Sequence, residues 1–160
     1  MGWNVDVDFK PSVLEGTGAF ARSPIKAGTK VWSFDETMHV CGLTDLAALT
    51  PEVLKFALHG GYLHEPSDRF VWYADGMHFV NHGFGTDANI GITEWTALED
   101  DNCTALRDIA AGEELLEDYT FWSAKSLDTD HWLTKLYLDF HPAHFEFLLA
   151  MDNLRQTRSA

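Results

Sequence analysis

Three stretches, far apart in the chain, combine residue types that can do chemistry. The first is Gly-Thr-Gly-Ala-Phe-Ala, residues 16–21. As a pattern it satisfies the dinucleotide fingerprint G-x-G-x-x-[GA], which carries meaning only between an apolar strand and a helix. Lys10, Pro11, Ser12 and Glu15 interrupt the segment before it, and Arg22-Ser23-Pro24 follows where a helix should start. The Rossmann reading therefore fails. What remains is a tight glycine turn whose backbone can approach a ligand, or an ordinary hairpin turn. The second stretch is Phe-Val-Asn-His-Gly-Phe-Gly-Thr-Asp-Ala-Asn-Ile-Gly, residues 79–91. Asn81 and His82 stand where an apolar segment stops, and both are rich in donors and acceptors. Taken alone, such a pair satisfies itself and nearby backbone at a strand end. The third stretch, residues 105–122, reads ALRDIAAGEELLEDYTFW. Ala111-Gly112 marks a turn, and Tyr119, Phe121 and Trp122 cluster at its end. An isolated aromatic group of this kind is more often core than catalyst.

The elements that must position these residues are short. Up to about residue 40, apolar residues come in small groups punctuated by Gly and Pro, the pattern of strands and turns. A helix is expected over TPEVLKFALHGG, with Thr50 as cap, Pro51 in the first turn and Gly60 or Gly61 as terminator. Val53, Leu54, Ala57 and Leu58 then share a face. Arg69–Asn81 reads as strand, with Asp75-Gly76 as a hairpin turn, and residues 90–106 read as further strand. Trp132, Leu133, Leu136, Tyr137 and Phe140 recur at helical spacing up to Pro142, and FEFLLAMDNL forms a second short helix. No internal repeat or linker divides the 160 residues, so one domain is expected, with a helical insert at about 45–62 and a helical segment at about 128–152.

Composition sets the outer limits. A hydrophobic fraction of 46% with 13% aromatics argues for a folded chain with a sizeable core. No stretch approaches the ~20 apolar residues that span a bilayer. The start, MGWNVDVDFK, has neither a basic nor an apolar signal region. Cys41 and Cys103 are the only cysteines, which excludes a disulfide framework and a four-cysteine zinc cluster. These features lead to the expectation of a cytoplasmic protein, or a nuclear one in a eukaryote, that is not secreted. The formal charge of −14 repels nucleic-acid phosphates and anionic membranes, and it attracts basic peptides or proteins. His141 and His144 stand three apart, and His59 and His64 flank a Gly-Gly. Without a third ligand at recognisable spacing, no metal site is assigned.

The order of the three stretches carries more than any one of them. A glycine turn followed by I-x-x-G (GTGAFARSPIKAG), then Phe-Val-Asn-His with a downstream Asn, then DIAAGEELLEDY resembles the SET-domain protein methyltransferases over about residues 13–122. The third motif is the most specific, matching that family's I-x-x-G-E-E-L-x-x-D-Y signature at nearly every defining position. The resemblance implies a mostly β, α+β fold of short curved sheets around a pseudo-knot, with an inserted helix and a helical C-terminal tail. It implies S-adenosyl-L-methionine as cofactor, bound by Gly18, Ala19, Phe20, Asn81, His82, Tyr119 and Trp122. It further implies Tyr119 as the catalytic tyrosine, and Glu117 and Phe121 as parts of a lysine channel. The substrate would be a basic protein or peptide, histone-like or ribosomal. The glycines at 83 and 85 would relieve the crossing at the pseudo-knot.

Three features depart from the family pattern. The Asn-His loop is two residues longer than usual, with Asn89 as its downstream asparagine. Glu117 takes a position usually held by Phe or Tyr. The family's cysteine-rich zinc segment has no counterpart after Cys103, so the helical tail, with Trp132, Tyr137, Phe140 or Phe145, would have to close the channel. Two other readings follow from these departures. In one, the fold is a catalytically weak or inactive module that binds a basic protein partner; in the other, a small β-protein uses the histidines to hold a metal.

Overall fold

A computed structural model describes residues 2–121 and 125–159. The chain forms two compact units, Met1–Met38 with Tyr73–Asp118 and His39–Trp72 with Tyr119–Ala160.

The first unit holds the strands that carry the three motifs. β1 (Val7–Pro11) and β2 (Thr17–Ala21) form an antiparallel hairpin in which Val7 faces Ala21 and Pro11 faces Thr17. The glycine-rich stretch is thus a turn running into a strand, in agreement with the rejection of a dinucleotide fold. Five further strands form one sheet: β3 (Lys30–Ser33), β7 (Asn81–His82), β8 (Ile90–Gly91), β9 (Asn102–Ala105) and β10 (Leu116–Glu117). Their order is β3-β9-β8-β10-β7, so the last strand in sequence enters between two earlier ones, parallel to both. The chain from β7 to β8 must therefore pass across β10, a crossing of the kind that general topology rules disfavour. Gly83 makes that crossing close. Its N–H donates to the Glu117 carbonyl at 3.0 Å, and a Cβ there would crowd Leu116 and the backbone of Asp87 and Ala88. Ala19, Ala21, Val31, Trp32, Ile90, Cys103, Ala105, Ile109 and Leu115 form the buried apolar interior of this unit.

Two expectations in this unit give way. Asp75-Gly76 makes a turn, but no hairpin results: the chain enters a short 3-10 turn, Met77–Phe79, and β7 then pairs with β10. Asp75 is engaged elsewhere, accepting from the indole N–H of Trp32 at 2.9 Å and the backbone N–H of Met77 at 3.0 Å. The expected strand over 90–106 is broken. β8 and β9 are separated by a loop with a 3-10 turn at Leu98–Asp100, because Glu94, Glu99, Asp100 and Asp101 leave no apolar alternation to sustain pairing.

The second unit packs helices on a small antiparallel sheet. β4 (His39–Cys41), β6 (Arg69–Trp72) and β5 (Tyr62–His64) lie in that order. The helices are α1 (Leu43–Ala47), α2 (Pro51–Gly60), α3 (Trp132–Phe140) and α4 (Pro142–Ser159). α2 starts as the sequence predicts: Thr50 accepts from the Val53 N–H at 3.5 Å, and Pro51 occupies the first turn. Leu54, Ala57 and Leu58 face the core with Leu46, Leu63, Phe70, Leu133, Leu136 and Tyr137. Val53, expected on that face, is exposed, as is Phe140 on α3. The Tyr137 hydroxyl donates to the Leu58 carbonyl at 3.0 Å, tying α3 to the end of α2. Pro142 both follows α3 and opens α4, which runs 18 residues, well past the short apolar segment that suggested it. Among the described residues no helix is long and apolar enough to cross a membrane.

Candidate active site

In the first unit the three motifs meet at one carboxylate. Residues 113–115 lie alongside β2: Ala21 N–H donates to the Glu113 carbonyl at 2.9 Å, and Leu115 N–H donates to the Ala19 carbonyl at 2.7 Å. Phe20 and Glu114 form the bridge between these bonds. This registration turns the Glu114 side chain towards the glycine hairpin. Its Oε2 accepts from the Ser12 hydroxyl at 2.9 Å, and its Oε1 accepts from the Asn81 amide at 2.9 Å. A Cβ on Gly18 would collide with that carboxylate. Gly18 is therefore small because Glu114 occupies its space, and Asn81 is held beside both. The second Asn81 donor bond goes to the Glu15 carbonyl at 3.1 Å, which leaves the amide oxygen outside both bonds. Lys10 lies over the Phe20 ring at 4.4 Å.

Asn89 locks the same segment from the other side. Only 1% exposed, it donates to the Glu114 carbonyl at 2.8 Å and to Glu113 Oε1 at 3.1 Å. Its own Oδ1 accepts the Leu116 N–H at 2.9 Å. Glu113 is paired with Arg107 at 2.6 Å. The Arg107 hydrogen bond is the main force holding its carboxyl below the usual range. The two residues after Gly112 thus have structural tasks: Glu113 anchors, and Glu114 joins the hairpin to β7. Sequence reasoning matched both as motif letters and assigned neither a role. Their fixed place directly after the Gly112 turn was the available signal.

His82, on β7, packs its ring edge-on to Phe84 with centroids 4.3 Å apart. Burial lowers its pKa, opposed by the nearby Asp118. Glu117, expected to line a lysine channel, is 7% exposed and faces the interior of this unit. Its Oε1 accepts the Cys103 thiol, with sulfur and oxygen 3.8 Å apart. Burial first, and the Glu117 charge second, push that thiol well above its usual range.

The second unit holds the remaining predicted residues. Tyr119 opens a 3-10 turn, Tyr119–Phe121, directly after the sheet's last strand in sequence. Its half-buried ring meets Phe147 of α4 edge-on, at 6.2 Å. Phe121 is exposed. Trp122 lies outside the described residues. The structure therefore joins Gly18, Phe20 and Asn81 around Glu114, sets buried Ala19 beside them on β2 and His82 after Asn81 on β7, and carries Tyr119 and Phe121 on the other unit.

The second unit also assembles a group that the sequence left apart. His59, near the end of α2, His141, after α3, and His144, in the first turn of α4, converge. The His59 and His141 rings share a hydrogen bond of 3.2 Å between Nδ1 and Nε2. Burial lowers the pKa of both His141 and His144, and takes His144 down to about 3, with the neighbouring imidazoles adding to the effect. The missing third histidine was 82 residues away, so local spacing held no trace of it.

A family model described as the SET domain matches residues 16–120. Among curated protein sequences none matches the chain. Among solved structures, the chain is similar to a Plasmodium falciparum protein assigned as a histone methyltransferase. The two share 16% identity at a TM-score of 0.50, over 72% of this chain and 94% of that one. It is also similar to a humanized mutant of the Chaetomium thermophilum Polycomb Repressive Complex 2, bound to the inhibitor GSK126. Here identity is 27% and the TM-score 0.51, over 72% of this chain and 15% of that one. The family match runs from the glycine turn to the residue after Tyr119, the interval in which β10 enters between β7 and β8. The chain belongs to the SET-domain family.

Proposed function

We propose that this protein is an S-adenosylmethionine-dependent methyltransferase acting on a lysine side chain of a basic protein. The observation that carries the reading is the convergence of Gly18, Asn81 and Glu114, which links the glycine turn, the Asn-His strand and the Glu-Glu segment in one corner. SET-domain methyltransferases generally use this cofactor, and the residues present fit it by charge. Its sulfonium and amine groups call for acceptors, and the corner offers the Glu114 carboxylate and the Asn81 amide oxygen. In this reading Gly18, Ala19 and Phe20 contribute backbone groups, and Asn81 and His82 hold the polar parts.

When bound, the cofactor supplies a methyl group on a positively charged sulfur. Tyr119 then orients the attacking lysine nitrogen through its hydroxyl, and no covalent enzyme intermediate is required. The lysine must arrive neutral, although a free lysine titrates near ~10.4. An apolar channel and the sulfonium charge of the bound cofactor would both favour that form, and Phe121, exposed in the free chain, would line such a channel only once substrate covers it. Glu117, if it faced the lysine, would oppose deprotonation. Its bond to the Cys103 thiol engages one carboxylate oxygen elsewhere. A net charge of −14 draws basic substrates, such as histone-like or ribosomal proteins, and repels nucleic acid.

Calorimetric titration of the folded chain with S-adenosylmethionine, and separately with its demethylated product, tests the cofactor assignment. The expected result is saturable binding of each near one equivalent. A folded chain that binds neither would overturn the enzymatic reading and leave a SET-fold module for a basic partner.

A further inference from the structure

The three-histidine cluster of the second unit lies outside the methyl-transfer proposal and does not depend on it. His59, His141 and His144 each offer one ring nitrogen, and these three atoms lie within 4.8 Å of one another. Ring centroids are 5.4 Å apart for His59 and His141, 5.1 Å for His59 and His144, and 5.4 Å for His141 and His144, a nearly equilateral triangle. Zinc–imidazole bonds of about 2.0–2.1 Å in a tetrahedron place ligating nitrogens roughly 3.3 Å apart. The His59 Nδ1 to His141 Nε2 separation is already 3.2 Å.

The surroundings hold the backbone that carries two of the rings before any ion arrives. The backbone N–H of His141 donates to the Tyr137 carbonyl at 2.8 Å, closing α3, and the backbone N–H of His144 donates to the His141 carbonyl at 3.1 Å. Pro142 stiffens the link between them. The His144 ring is flanked by the Tyr137 ring at 5.4 Å and the Phe147 ring at 6.1 Å. His141 and His144 are buried while His59 is exposed, so two ligands form a floor and the third stands at the mouth. That leaves a fourth position open towards solvent. A packed histidine cluster with one hydrogen bond is the alternative use of the same geometry, and it predicts no metal dependence.

We infer that His59, His141 and His144 form a site for a divalent cation of the zinc class, bound by three imidazole nitrogens and a solvent ligand. Imidazole sets suit zinc, copper and nickel, whereas magnesium and calcium demand oxygen ligands that this cluster lacks. On binding, the His59–His141 hydrogen bond is exchanged for two metal–nitrogen bonds: the ring that donated it moves its proton through solvent to its outer nitrogen, and the ring that accepted it keeps its proton there. Lys55, near enough to weigh on His141, works against the ion and limits its affinity. The consequence is a clamp: the end of α2 is fastened to the junction of α3 and α4.

The test uses the full chain, untagged and stripped with a chelator, titrated with zinc chloride by calorimetry, with magnesium chloride as control. The expected result is one equivalent of zinc and none of magnesium, with a rise in Tm of several degrees at about a hundredfold excess over Kd. Cobalt(II) added in place of zinc should give the intense visible absorption of a four-coordinate site. His59→Ala removes an exposed ring and its one hydrogen bond to His141, so it should lower the metal-free Tm by only a few degrees while weakening zinc binding at least tenfold. His141→Ala should weaken it comparably. Absence of zinc binding to the folded chain, or zinc binding and cobalt absorption unchanged in both variants, would overturn the assignment.

Discussion

Replacing Tyr119 with phenylalanine is expected to slow methyl transfer by two to three orders of magnitude, roughly the loss seen when one well-placed polar contact to a reacting group is removed. Affinity for S-adenosylmethionine and Tm should barely change. The separation of these effects follows from the local structure. Tyr119 stands in a 3-10 turn, half-buried, with its ring edge-on to Phe147 at 6.2 Å. Phenylalanine keeps the ring, that contact and the backbone of the turn, and removes the hydroxyl alone. Single-turnover rates with labelled cofactor, alongside calorimetry, check the prediction. Equal turnover in the two proteins would remove Tyr119 from the chemistry, and a loss confined to cofactor affinity would make it a binding residue.

Asn89→Ala should be the most damaging polar substitution in the first unit, costing on the order of 3 kcal/mol. Its three hydrogen bonds run to two adjacent backbone groups, the Glu114 carbonyl and the Leu116 N–H, and to Glu113. Alanine leaves both backbone groups without that partner in a place where water has little access, since Asn89 itself is 1% exposed. For a chain of this size the loss corresponds to a fall in Tm of about 10 °C. Asn89→Asp should be no better: it keeps an acceptor for Leu116 but loses both donor bonds and sets a charge beside Glu113. Thermal unfolding of the two variants reads this directly. A Tm within about 2 °C of the parent for Asn89→Ala would show that the segment is fastened by other means.

The core of the fold was legible where the sequence has strong punctuation. Pro24 and Gly28 left no room for a long helix in the first part, and Thr50-Pro51 marked the start of α2 to the residue. Order along the chain identified the family, because the glycine turn, Asn81-His82 and Glu113–Tyr119 recur together. The misses share a cause, which is long-range partnership. Asp75-Gly76 carries the letters of a hairpin, yet β7 finds a stronger partner in β10, more than thirty residues on in the sequence. Val53 has the right spacing for the core, yet it is exposed, and the burial of α2 is carried by Leu54, Ala57 and Leu58. Glu114 was visible only as part of a motif. Its role arises from Ser12, Gly18 and Asn81, which approach it from two other segments. His59 and His141 are separated by 82 positions and meet only because α2 and α3 share a core built on Leu58 and Tyr137.

The measurement that bears most directly on the central claim is transfer of an isotopically labelled methyl group from S-adenosylmethionine. The full chain is incubated with a mixture of basic proteins, histones and ribosomal proteins included, and the product is mapped by mass spectrometry. The account predicts label on a lysine side-chain nitrogen, dependent on the chain and lost in Tyr119→Phe. Label on another residue type, or no transfer from a folded chain that binds the cofactor, would contradict it.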